Sequence, residues 1–104
     1  MIPKKIRDEM SEDPFYQQCC ITGTPNTSAK VEWHHNLIYA GKQVQEKFAI
    51  LPLREDIHRN IVKYKEKCNW IMLNRATPEQ LEKYSKAINY KRELDRLNKI
   101  YGTY

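Results

Sequence analysis

The sequence predicts a small α+β fold, a ββα core of a β-hairpin plus a helix with additional helices, mostly α at the C-terminus. Three observations predict it. Residues 15–21 and 30–37 are rich in aromatic and β-prone side chains, with the turn cluster Thr22-Gly23-Thr24-Pro25-Asn26-Thr27-Ser28 between them. Glu55 and Asp56 suit the first turn of a helix, and Ile57, Ile61, Tyr64 and Cys68 then recur at helical spacing. Beyond them, residues 77 to about 101 keep an amphipathic helical pattern. At 104 residues the chain can bury one modest core and not two. It therefore reads as a single domain, with the ββα core at about 19–66 and a helical extension at about 68–101.

Taken in order, residues 2–10 suit a short helix that ends before Asp13-Pro14. Residues 15–21 form the first strand candidate and residues 30–37 the second. Alternation on the second strand sends Glu32 and His34 to one face, and Val31, Trp33 and His35 to the other. Trp33 reads as core. Residues 36–46, with Ala40-Gly41, read as a loop, and residues 48–51 as a short buried segment that Pro52 closes off from regular pairing.

The next helix begins around Leu53 or Arg54, with Lys63, Lys65 and Lys67 near its end and Trp70, Ile71 and Leu73 continuing the apolar pattern. Thr77-Pro78-Glu79-Gln80 supplies an N-cap, a proline at the first helical position and a capping-box glutamine. Leu81, Tyr84, Ile88, Tyr90, Leu94, Leu97 and Tyr101 then mark one long helix to about Tyr101. Its polar side mixes Lys91, Arg92, Arg96 and Lys99 with Glu93 and Asp95, a solvated face first and a DNA contact second. The oligomeric state stays open between monomer and homodimer.

The formal charge is +5 and the pI near 9.1, a balance that favours a polyanionic partner such as nucleic acid. No apolar run is long enough for a membrane span. The first residues lack an apolar signal segment, so the cytoplasm is the expected location, the host's if the chain is phage-encoded. The three cysteines, Cys19, Cys20 and Cys68, are too few for a disulfide framework or a four-thiolate zinc site and read as small core residues.

Only three histidines occur, and two are adjacent in Glu32-Trp33-His34-His35, answered by His58 on the following helix. Histidine both binds borderline metals and exchanges a proton near neutral pH. Ligands from two elements can hold one divalent ion in the crevice between them, and the remaining strand histidine is then free as a base. A phosphodiester is the natural electrophile for a basic protein with this equipment. A different reading joins Cys20, His34, His58 and Cys68 in a structural zinc site of a non-catalytic nucleic-acid-binding module.

Cys20-Ile21-Thr22-Gly23, Glu32-Trp33-His34-His35-Asn36 and Ile50-Leu51-Pro52-Leu53 leading into Asp56-Ile57-His58 resemble the HNH endonuclease superfamily with its ββα-metal (His-Me finger) fold. The closest form is the E-x-H-H variant of the colicin DNases. The resemblance covers about residues 19–62 and implies a metal-dependent DNA endonuclease, of a kind that suits a phage or mobile element. By that resemblance His34 and His58 are metal ligands and His35 is the general base that activates water. Glu32 supports the first ligand or assists at the metal. The cofactor is one divalent ion, Mg, Mn, Ni or Zn, and the products carry a 3′-hydroxyl and a 5′-phosphate.

The chain departs from the pattern at Ala49, where the motif's middle Asn belongs, with Asn36 a replacement brace for the loop. The knuckle cysteines before the helical histidine are replaced by Arg54 and Ile57. Arg54 also stands where the colicin form has a further His, and there it can clamp the scissile phosphate. Lys42, Lys47 and Arg59 would meet DNA phosphates on the same reading, and are ordinary solvated charges otherwise.

Overall fold

The site is built around a two-stranded antiparallel sheet, β1 (Val31–His35) against β4 (Ile50–Arg54), with His34 opposite Leu51 and His35 opposite Ile50. These come from a computed structural model that describes residues 2–86 and 89–104. The α+β architecture holds, with α1 (Lys4–Glu12), α2 (Glu55–Arg59), α3 (Ile61–Arg75), α4 (Pro78–Lys83) and α5 (Tyr90–Tyr101) around the sheet and a helix-rich C-terminus. Residues 36–46 are not a plain loop. They hold a second small hairpin, β2 (Ile38–Tyr39) with β3 (Lys42–Gln43), turned by Ala40 and Gly41 at φ of 53° and 77°.

The expected strand at 15–21 does not form. Pro14 at the first helical position and the Asp13 carboxylate, which accepts from the Phe15 N–H at 3.0 Å, start a 3₁₀ turn over Pro14–Gln17 instead. What remains of the strand is an isolated bridge from Gln18 to Pro25. The turn places the Tyr16 hydroxyl on the carbonyls of Lys47 (2.5 Å) and Ile50 (2.8 Å), which fastens this segment to the start of β4.

Nor does Pro52 end the pairing. It lies inside β4 opposite Trp33, and its carbonyl points outward to accept from the Cys20 N–H at 2.9 Å. In an antiparallel pair the N–H and C=O of one residue face the same side, so the donor Pro52 lacks would also have pointed away from β1. β4 is buried on both faces. Leu51 and Leu53 enter the main core with Cys19, Ile57, Cys68, Met72 and Leu97, while Ile50 joins Met10, Tyr16 and Trp33 in a smaller cluster. That two-sided burial explains an apolar run with no polar alternation.

The helix after β4 breaks at Asn60 (φ −109°, ψ 34°), whose side chain bonds back to the Asp56 carbonyl, so α2 and α3 are separate. The long helix expected over 77–101 is likewise two. The capping box at Thr77 and Gln80 forms as expected and starts α4, but Asn89 caps a new helix by accepting from the Arg92 N–H. Ile88 of the expected stripe lies outside the described residues. α5 docks on α3 through the fully buried Leu97, the Arg96–Glu66 ion pair at 2.5 Å and the Trp70 indole on Asn98 at 2.9 Å. Among the described residues no helix is long and apolar enough to cross a membrane.

Candidate active site

Strand alternation on β1 puts Glu32 and His34 on the face that meets α2, and Trp33 on the face that meets the smaller cluster. α2 starts directly after β4, so His58, in its last turn, returns to that same face of β1. The His34 and His58 rings meet edge to face with centroids 5.1 Å apart. His58 Nδ1 lies 3.0 Å from Glu32 Oε1, and Lys30 Nζ lies 3.6 Å from the other carboxylate oxygen. The His58 ring beside Glu32 holds its carboxyl below the ordinary range, and Lys30 adds to the effect. A carboxylate accepts only, so His58 donates from Nδ1, and in the neutral tautomer this contact selects the lone pair is on Nε2.

Burial pushes the His34 imidazole down to about 4, and the neighbouring His58 pushes the same way, against the opposing effect of Asn36 as an acceptor. His34 is therefore neutral, with a free lone pair, throughout the physiological range. Two imidazoles, one of them oriented by a carboxylate behind it, are the donor set of a carboxylate–histidine–metal arrangement. The chemistry of this set fits one divalent ion bound by His34 and His58. Glu32 lies against His58 and not against His34.

His35 stands at the end of β1, and its Nε2 lies 3.0 Å from Gln45 Oε1 in the segment after the small hairpin. The amide oxygen accepts, so the ring proton is on Nε2 and Nδ1 is left as the acceptor. His34, His35 and Asn36 line a cleft of about 260 Å³ whose far wall is Ile61, Val62 and Lys65 of α3 together with Ile38. Asn36 braces this end of the strand. Its amide donates to Asn69 Oδ1 at 2.9 Å, and its backbone N–H extends the sheet to the Ala49 carbonyl. An Asn one residue after the histidines thus holds the loop to α3, while Ala49 is a fully buried core residue.

Arg54 is not brought to the cleft. It ends β4 opposite Val31, on the other face from His34, and its guanidinium grips Asp56 through two bonds (2.5 and 2.9 Å) and Thr24 at 3.1 Å. Asp56 in turn keeps the guanidinium firmly charged. Arg59 pairs with Glu55 on α2, and Lys47 with Asp13 at 2.7 Å. Lys65 is the cation that lines the cleft, and sequence reasoning had placed it only as a helix-end charge.

The four-ligand zinc site is not assembled either. Among the described residues no three or more His, Cys, Asp or Glu side chains form a metal-holding group. Cys19 and Cys68 are fully buried in the apolar core, and burial pushes the Cys20 and Cys68 thiols up to about 12. Sequence reasoning also missed Gln45 and Asn69. Gln45 had no signal, because it sits in irregular chain with neither periodicity nor a motif, and Asn69 lay unmarked in a helical stretch. No family model, curated protein or solved structure matches the chain.

Proposed function

We propose that this chain is a metal-dependent endonuclease that hydrolyses DNA phosphodiester bonds, of the kind the HNH resemblance implies. One observation carries the reading. His34, neutral by burial, meets the ring of His58, which Glu32 orients, and shares a cleft with His35, whose Nδ1 is left open by Gln45.

His34 and His58 would hold the divalent ion, which when bound supplies Lewis-acid charge to phosphate oxygens at the cleft. His35 takes a proton from the attacking water at Nδ1, and Gln45 keeps its Nε2–H pointed away from the reaction. As His35 becomes imidazolium, both ring nitrogens donate, and the Gln45 oxygen remains a partner for Nε2. Lys65 on the opposite wall offers an ammonium to the substrate's backbone. The net charge of +5 supports a polyanionic substrate.

The test is nicking of supercoiled plasmid by purified protein with magnesium, manganese, nickel or zinc, followed by end-labelling of the products. Cleavage that needs a divalent ion, stops with chelator and leaves 5′-phosphates supports the reading. Absence of nicking under all four metals, by protein whose fold is verified by circular dichroism, contradicts it.

A further inference from the structure

Away from the histidines, a second cleft of about 230 Å³ is lined by Lys47, Phe48, Arg75, Thr77 and Gln80. It joins the turn before β4 to the end of α3 and the start of α4, and two cations converge on it. The Arg75 guanidinium carbon lies over the Phe15 ring, 3.5 Å from its centroid, and Nε is buried with no hydrogen-bond partner among the described residues. A buried N–H donor left unpaired costs free energy, and a cationic one more than a neutral one. Its nearest carboxylate, Asp13, is 3.9 Å from the guanidinium, beyond hydrogen-bond reach.

Asp13 is committed elsewhere. One oxygen caps the 3₁₀ turn at Phe15 and the other takes Lys47 Nζ at 2.7 Å, and these contacts hold its carboxyl below the ordinary range. The other carboxylate nearby, Glu46, is engaged by Lys83 at 3.1 Å and by the Tyr84 hydroxyl. Lys47 has three donors and gives one to Asp13. Thr77 accepts from the Gln80 N–H and keeps its own hydroxyl hydrogen to donate. Two cations thus line the cleft, with Asp13 the one carboxylate that pairs with Lys47, and among the described residues the buried Arg75 Nε has no partner.

We propose that this cleft is a phosphate-binding site in which Lys47 and Arg75 hold the oxygens of one phosphate group and Thr77 adds a hydrogen bond. A guanidinium and an ammonium at one cleft match a tetrahedral oxyanion, and the apolar Phe48 beside them lowers the competing hydration. The phosphate comes either from a nucleic-acid backbone or from the free anion. Lys47 follows Gln45 by two residues, so the segment that orients His35 also supplies this cation. The phosphate site itself stands on its own geometry and not on the nuclease reading.

The test uses the full chain, labelled with ¹⁵N, in EDTA so that no cleavage occurs. Inorganic phosphate is titrated against chloride at matched ionic strength while the Arg75 Nε–H resonance is followed. Saturable movement of that resonance by phosphate, with affinity lowered about tenfold in Lys47→Gln, supports the site. Arg75→Lys keeps the charge but loses the Nε–H, and it should weaken phosphate binding while its melting temperature in phosphate-free buffer confirms folding. A short DNA duplex titrated by fluorescence anisotropy separates the sources. Backbone anchoring makes the slope of log K against log salt about 1 shallower in Lys47→Gln, and the free anion leaves that slope unchanged. If neither phosphate nor duplex moves the Arg75 resonance, the proposal is overturned. Because this readout is binding in chelator, it can succeed or fail whatever the outcome of the cleavage assay.

Discussion

Gln45 decides which nitrogen of His35 is open, and it does so with a single contact of 3.0 Å. Removing it frees the ring to rotate and to change tautomer, while the His34–His58 contact stays intact. Gln45→Ala should lower cleavage about tenfold or more with unchanged metal affinity, which parallel calorimetry and nicking assays would check. Glu32 acts on the other partner. Glu32→Gln turns a charge-assisted bond into a neutral one, and the expected loss in metal affinity is about 10–100-fold, read by calorimetry. The histidines themselves were legible in the sequence, since a doubled His followed by a helical His is a pattern of residue types. Their states were not legible, because burial of His34 and the amide beside His35 depend on chain that arrives from elsewhere in the fold. Arg54 shows the same limit. Its place in the sequence suited a phosphate clamp, but Asp56 two residues on provides a nearer partner.

At the scale of elements, His34 links the site to the stability of the β1–β4–α2 unit. The unfolded chain takes up its proton near pH 6.5, whereas in the folded chain burial delays this to about 4. Between those values the unfolded state binds more protons, so stability is fully present above pH 6.5 and falls as the pH drops towards 4. The metal-free protein should lose on the order of 2–3 kcal/mol across that window, measured by urea unfolding at a series of pH values, and His34→Gln should flatten the curve. Tyr16→Phe tests the clamp on β4. It leaves the Lys47 and Ile50 carbonyls without the hydroxyl and should destabilise by about 1–3 kcal/mol. Strand β1 and the capping box were legible because alternation and capping are local. The strand expected at 15–21 lost to Asp13-Pro14, a local helix-start signal that outweighed β-prone composition. Pro52 was misread because its missing N–H matters only on the paired side of a strand, and that side is set by register.

For the whole molecule, the division of labour is spatial. The ββα unit carries His34 and His58 on one face of the sheet with His35 at the end of β1, and α5 packs on α3 through Leu97, which is 0% exposed, and through Arg96 with Glu66. Leu97→Ala should cost about 2–5 kcal/mol in chemical denaturation while leaving cleavage nearly unchanged at temperatures where the variant is folded. Periodicity showed that the C-terminal third is helical but not that Asn89 restarts it, since an Asn in a helical pattern reads equally as interior or cap. The central claim is that His35 moves the proton while His34 and His58 bind the ion. Its most direct test measures metal affinity and plasmid nicking on the same preparations of wild type, His35→Ala and His58→Ala. The account predicts that His35→Ala loses at least about a hundredfold in cleavage with metal affinity kept, and that His58→Ala loses both. A His35→Ala protein that nicks DNA at the wild-type rate with the same metal would contradict it.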